Sequence, residues 1–311
     1  MSAKATREAY GEWLVEAGKT NKDIVVVDAD LAESTKTILF AKAYPNRFFD
    51  VGAAEQNLID IAAGLAIGGK RAFASSFAYF LTGRAWDQIR NIVAHDNLNV
   101  CLVASHGGFS AAADGASHLA LQDVALMRVI PNMRVVIPAD AEETRNALDA
   151  AVASGGPFYL RLRRDKEPIL QKSYKFKLGR SETMRDGADV TIAAYGSMVD
   201  ASLKAAAILK EKKIEARVLN IHTVKPLDTE TLTTAARATG SVLTVEDHSV
   251  LGGLGGAVAE ALSESYPVPI KRLGAPDVYG GSSRNPDSFL KEFGLTPEGI
   301  ATSAEQVCRR R

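Results

Sequence analysis

Phe48-Phe49-Asp50-Val51-Gly52-Ala53-Ala54-Glu55-Gln56-Asn57 leads into the small-residue run Ile61-Ala62-Ala63-Gly64-Leu65-Ala66-Ile67-Gly68-Gly69. Phe48 to Val51 read as a short buried strand, and Gly52 permits a tight turn. Leu58, Ile61, Ala62 and Leu65 then recur at helical spacing. Glu55 is therefore expected in the first turn of a helix, just past the carboxyl end of a strand. In an open parallel sheet that edge is where ligands bind. A carboxylate there can meet a ligand, or can simply complement the helix dipole.

The rest of the chain repeats the pattern. An amphipathic segment carrying Tyr10, Trp13, Leu14 and Ala17 precedes Asp23-Ile24-Val25-Val26-Val27-Asp28, an apolar run suited to a strand covered on both faces. A helix through Ile38, Leu39 and Ala43 follows. Further strands are expected near 71–75, 99–104, 134–137 and 158–162, with helices near 86–94, after His118 and over 141–153. Regular alternation of this kind specifies an α/β fold, with a mostly parallel, six-stranded, doubly wound sheet. From Asp165 to Gly187 the pattern lapses into polar, Lys-rich sequence. A shorter α/β alternation resumes at Val190, with strands expected over 190–195, 216–221, 241–246 and 268–273. The expected organisation is a first domain over 1–165, a linker over 166–187 and a smaller carboxyl-terminal α/β domain over 188–311.

At 311 residues, 46% hydrophobic and 24% charged, the composition is that of a soluble globular protein with room for two cores. Lys plus Arg and Asp plus Glu are both 37. Such a balance gives no reason to expect nucleic acid or an anionic membrane as partner. Two cysteines, Cys101 and Cys308, stand in no metal-ligand spacing, which suits a reducing cytoplasm. No signal peptide is evident, and no apolar run reaches the roughly 18 residues of a membrane span. Arg309-Arg310-Arg311 is expected to be a solvated tail. Leu251-Gly252-Gly253-Leu254-Gly255-Gly256-Ala257 opens a helix after a strand, but its third glycine is displaced from the dinucleotide fingerprint. Close helix packing or an interface is expected there, with His248 in a structural or interface role.

Chemistry concentrates in Ser105-His106-Gly107-Gly108-Phe109-Ser110-Ala111-Ala112-Ala113-Asp114-Gly115-Ala116-Ser117-His118. This loop leaves the strand ending at Ala104 and so shares the ligand-binding edge with Glu55. Two histidines and an aspartate can hold hydroxyl groups and move protons near neutral pH. No third and fourth ligand makes a familiar metal site.

Together these residues resemble the carboxyl-terminal half of transketolase, its pyrimidine-binding and carboxyl-terminal domains, over essentially the full chain. Glu55-Gln56-Asn57 matches the catalytic-glutamate motif, and Asp114-Gly115-Ala116-Ser117-His118 matches an Asp-Gly-Pro-Thr-His motif with two changes. His106 stands eight residues before Asp114, as in the family. Pro131-Asn132-Met133 and Pro138-Ala139-Asp140-Ala141-Glu142-Glu143 continue the match.

The resemblance implies thiamine diphosphate as cofactor, with Glu55 hydrogen-bonding its aminopyrimidine and favouring the imino tautomer that takes the thiazolium proton. Phe77 and Phe80 would pack on the pyrimidine ring; periodicity alone would make them core. Gly83 stands where a second ring-packing tyrosine would be expected, in a helix that differs in length by about one residue. His106, Asp114 and His118 would bind the hydroxyls of a ketose donor, with both histidines assisting proton transfer. Arg7, Ser34 and one arginine of 161, 163 and 164, with Arg164 the best match by spacing, would hold the substrate phosphate.

The Gly-Asp-Gly motif that binds magnesium and the diphosphate in this family is absent. The resemblance therefore implies one subunit of a split transketolase. A separate amino-terminal subunit would hold Mg2+ and the diphosphate, in a two-plus-two heterotetramer built on a homodimer of this chain. The expected activity is transfer of a two-carbon ketol unit from a ketose phosphate to an aldose phosphate, as in the pentose phosphate pathway. A deoxyxylulose-phosphate-synthase-like enzyme, the beta subunit of a 2-oxo-acid dehydrogenase decarboxylase and a non-catalytic scaffold are the alternatives. The histidine loop favours sugar hydroxyls over a lipoyl arm, and Ala116 and Ser117 leave room for a non-standard donor.

Overall fold

The structure, a computed structural model, describes residues 2–171 and 176–310. Met1, residues 172–175 inside the expected linker, and Arg311 of the expected tail lie outside the described residues. Among the described residues a seven-stranded sheet runs in the order Thr223–Lys225, Arg134–Val136, Phe158–Arg161, Val100–Ser105, Arg71–Phe77, Ile24–Asp28, Phe48–Asp50. The six strands from the first half are mutually parallel. Thr223–Lys225 joins them antiparallel from the second half, a pairing no local pattern announces.

The five-stranded sheet runs Ile270–Ala275, Val242–Ser249, Val190–Ala194, Ala216–Asn220, Glu182–Arg185, the last antiparallel. Two short strands therefore lie inside the stretch 166–187 expected as linker. Glu182–Arg185 borders this second sheet, and Lys166–Pro168 pairs with Ala3–Ala5 at the amino terminus. Both satisfy backbone groups along edges and carry few apolar residues, so composition alone reads them as polar connection.

Central strands are buried along their whole length, as the uninterrupted apolar runs imply. Phe48–Asp50 departs from expectation. It closes one edge of the sheet and is half-buried to exposed, because only Ile24–Asp28 flanks it. Its role is positional: it delivers the chain to Gly52, at φ +73°, and then to the helix Glu55–Ile67. The opening helix Thr6–Thr20 buries Tyr10, Trp13 and Leu14 against the opposite sheet face. One apolar core spans both halves, joining Leu58, Ile59 and Leu102 to Val224, Leu232 and Leu254.

The glycine cluster is explained by packing. Buried Glu246 accepts hydrogen bonds from the backbone N–H groups of Leu254 and Gly255 at 2.7 and 2.8 Å, so a carboxylate already occupies this helix N-terminus. A Cβ at Gly253 would fall 2.1 Å from Glu246 Oε2. His248, fully buried, bonds the Ser249 carbonyl at 2.7 Å through Nδ1.

Candidate functional site

Three loops leaving parallel strands on one edge converge on the site. After Ile24–Asp28, the buried Asp28 carboxylate accepts the Leu31 N–H and the hydroxyls of Thr35 and Thr37 at 2.7, 2.7 and 2.8 Å. These bonds fold residues 28–37 around the one-turn helix Ala32–Thr35, which ends at Lys36 in the left-handed conformation at φ +70°. Ser34 is thereby presented to Arg7, whose Nη1 donates to the Ser34 carbonyl at 2.8 Å.

The strand Val100–Ser105 delivers His106. Its φ of +61° is rare for a side-chain-bearing residue and marks a backbone fixed by its surroundings. Gly107 N–H donates to Leu162 O at 2.9 Å and Gly108 N–H to Ala120 O at 3.2 Å, pinning the loop on both sides. The imidazole lies 3.9 Å, centroid to centroid, from the Phe77 ring, and its Nδ1 hydrogen-bonds Ser105 Oγ at 2.8 Å. Burial, with lesser repulsion from Arg7, Arg164 and His118, lowers its pKa to about 3. At neutral pH His106 is an uncharged ring whose Nε2 is free of that bond and can donate or accept according to tautomer.

This shift carries a prediction. As pH falls below the ordinary histidine value of 6.5, the unfolded chain binds a proton that the folded chain refuses down to about 3, so stability falls. Buried His222, lowered to about 4, acts in the same direction. Glu143 and Glu167, raised by burial to about 8 and about 7, act oppositely: the stability linked to them is present at low pH and is lost as pH rises to those values. The difference between wild type and His106→Gln isolates the His106 contribution. In urea unfolding, wild type should lose about 1.5–2 kcal/mol more than His106→Gln between pH 6.5 and 5.

Arg7, Glu33, Ser34, Lys36, Phe77, His106, Asp114, His118 and Arg164 line one cavity of about 350 Å³. Seven of these are sequence-expected site residues, brought together from five separate segments. Arg164 lines the cavity beside Asp114, at 3.8 Å, whereas Arg161 and Arg163 turn inward. Glu33 and Lys36 join the expected residues here; Lys36 depends on a left-handed turn that no spacing marks.

Glu55 and Phe80 lie beside this cavity, linked to it by aromatic contacts. Phe77 and Phe80 stack at 5.9 Å, and the Phe80 ring meets His118 edge-on at 4.9 Å. Glu55, 4% exposed, receives Arg84 Nη1 at 3.0 Å and has Ser76 Oγ at 3.5 Å. A Cβ at Gly83 would meet nothing within 4 Å, so the position expected to hold a tyrosine is open. Arg84 stands four residues after Phe80, which puts the two on one helix face. Further along, the chain makes a π turn over Ile89–Ala94.

Beneath the histidine loop lies a buried charge network. Arg161 donates to Asp123 at 2.8 Å and to Asp247 at 2.6 Å; Arg163 donates to the other Asp247 oxygen at 2.8 Å and also to Ser197. Tyr159 donates to Asp123 at 2.5 Å. Asp247 belongs to the second half and touches the loop itself: a Cβ on Gly108 would come within 2.2 Å of its carboxylate.

Among the described residues, no group of three or more His, Cys, Asp or Glu could hold a metal ion, and no helix is long and apolar enough to cross a membrane. Cys101 is buried, and burial pushes its thiol pKa up.

A buried carboxylate beside paired aromatic rings, next to a histidine and arginine cavity, agrees with what comparison finds. Residues 2–168 match the transketolase pyrimidine-binding domain, and residues 179–300 match the transketolase C-terminal domain. The chain belongs to the transketolase family. It is 47% identical over 302 residues to a putative transketolase C-terminal section of Methanocaldococcus jannaschii, covering 96% of this chain and 94% of that one. It is 42% identical to a 6-deoxy-6-sulfo-D-fructose transketolase subunit of Clostridium sp. (strain MSTE9), covering 98% and 95%. A solved split-gene transketolase, described as an inactive beta4 tetramer, superposes with a TM-score of 0.91 at 48% identity, with 98% of both chains covered. Relatives of this chain's own length are thus named as a section or subunit of a transketolase, one of them with 6-deoxy-6-sulfo-D-fructose in its name.

Proposed function

We propose that this chain is the carboxyl-terminal subunit of a split transketolase, transferring a two-carbon ketol unit from a ketose phosphate to an aldose phosphate. The observation that carries the proposal is the cavity in which His106, Asp114 and His118 face Arg7, Lys36 and Arg164, beside the buried Glu55. Donors and acceptors for hydroxyls stand next to a cation cluster, as a sugar phosphate requires.

Thiamine diphosphate fits the residues present. Glu55 offers a dry carboxylate to an aminopyrimidine nitrogen, and Phe77 and Phe80 offer aromatic faces to its ring. When bound, thiamine diphosphate supplies the carbanion chemistry for breaking and making carbon–carbon bonds. The chain's own groups bind, orient and manage protons. Glu55 would hold the ring in register and stabilise its proton-accepting tautomer. His106, kept neutral, would exchange a proton with a substrate hydroxyl through Nε2, and the Ser105 hydroxyl can serve either tautomer. His118 and Asp114 would bind neighbouring hydroxyls. Arg7 and Arg164 would clamp the terminal anion, with Ser34 and Lys36 at its side.

The relatives named as a C-terminal section or a split-gene subunit of this length support a separate amino-terminal partner. In this reading that partner would hold Mg2+ and the diphosphate, in a two-plus-two cytoplasmic assembly. The cation cluster would accept a sulfonate as well as a phosphate, so both belong in the assay. The test is to capture the partner from the source lysate and measure two-carbon transfer with and without thiamine diphosphate and Mg2+. Cofactor-dependent transfer that needs both chains is expected; decarboxylation of a 2-oxo acid without transfer would overturn the assignment. Arg164→Ala should raise KM for the phosphorylated substrate about 10- to 100-fold, with a smaller effect on an unphosphorylated sugar.

A further inference from the structure

Arg84 closes the helix Ala78–Arg84, and its guanidinium makes two contacts at once. Nη1 donates to Glu55 Oε2 at 3.0 Å, and the guanidinium carbon lies 4.1 Å from the Phe80 ring centroid. The Glu55 side chain is 4% exposed and that of Arg84 52%, so the carboxylate forms the floor and the guanidinium lies over it at the surface. Gln56 Nε2 donates to the Arg84 carbonyl at 3.2 Å. The backbone is therefore tied down, while open space at Gly83 leaves room for the long side chain to rotate.

A guanidinium is flat, carries positive charge, stacks on aromatic faces and donates paired N–H bonds in its own plane. An aminopyrimidine protonated on its ring nitrogen is likewise flat, positively charged and able to stack, and it donates an in-plane N–H to a carboxylate. Both need the same two surfaces, the Glu55 carboxylate and the Phe80 ring face, and the two cannot share them. We propose that Arg84 is a stand-in for the aminopyrimidine: it occupies that ring's seat and must swing outward before the cofactor can bind. This inference rests on the thiamine diphosphate assignment above and adds a step to it. With Arg84 withdrawn, Glu55 keeps, among the described residues, the 3.5 Å contact with Ser76, and a buried carboxylate without a charged partner is costly. The stand-in therefore holds the empty subunit together and weakens cofactor binding by the strength of the ion pair it must break.

The experiment uses Arg84→Ala in the complex of this chain with its partner subunit, titrated calorimetrically with thiamine diphosphate at saturating Mg2+. A half-exposed ion pair is modest, so binding should tighten about three- to tenfold relative to wild type. The isolated Arg84→Ala chain should melt below wild type, and adding Glu55→Gln should restore part of the loss by removing the unpaired charge. Equal or weaker binding by the variant, with wild type binding normally, would show that Arg84 is a wall of the ring site and overturn the inference alone. No uptake by the wild-type complex would remove the cofactor assignment, and the inference with it.

Discussion

Glu55→Ala should lower two-carbon transfer by the assembled enzyme on the order of 10²–10⁴-fold, the range covered by loss of a positioned proton-managing group. The residue begins the helix Glu55–Ile67 with its side chain 4% exposed, so its carboxylate works where water does not screen it. The isolated variant chain should still fold, because Leu58, Ile59, Ala62 and Ala63 of the same helix carry its packing. Glu55→Gln keeps the shape and one acceptor oxygen but loses the charge; its activity should fall between wild type and Glu55→Ala. Steady-state transfer rates beside circular dichroism melts separate lost chemistry from lost structure. A Glu55→Ala enzyme within tenfold of wild type would contradict the role assigned to it.

Asp247→Ala should have the largest effect on stability. It leaves Arg161 and Arg163, both buried, without the carboxylate that each uses at 2.6 and 2.8 Å. Breaking a buried pair from one side costs about 3–5 kcal/mol, because an uncompensated charge stays inside. Urea unfolding of the isolated chain measures this, and a loss below about 1 kcal/mol would mean that the network rearranges freely. The same carboxylate abuts Gly108, so surviving enzyme should also bind sugar less well through a displaced His106. In this way the carboxyl-terminal half reaches the site without lining the histidine cavity.

The turn at Gly52, the helix opening at Glu55 and the loop from His106 to His118 were legible because local signals mark them: a glycine, apolar spacing and a cluster of titratable residues. The six parallel strands were legible as apolar runs. Thr223–Lys225 was not, since a three-residue strand has no periodicity and its partner Arg134–Val136 lies far upstream. Burial of Arg161 and Arg163, against the cavity position of Arg164, is likewise invisible in Arg161-Leu162-Arg163-Arg164. Alternation along a strand separates Arg161 from its neighbour, but only the packing of Asp123 and Asp247 from distant segments draws it inside. Lys36 reaches the cavity through a left-handed turn set by Asp28 and its threonines, and Arg84 through a carboxylate on another helix. In each case the sequence carried the residue and a long-range partner decided where it points.

The central claim is that this chain carries the pyrimidine half of a cofactor site that a second chain completes. Calorimetric titration of thiamine diphosphate and Mg2+ into the chain alone, the chain with its partner, and the partnered Glu55→Ala variant tests it most directly. Saturable binding only in the partnered wild type, at one cofactor per copy of this chain and markedly weakened in the variant, is expected. Tight binding by the chain alone, or binding indifferent to Glu55, would contradict it.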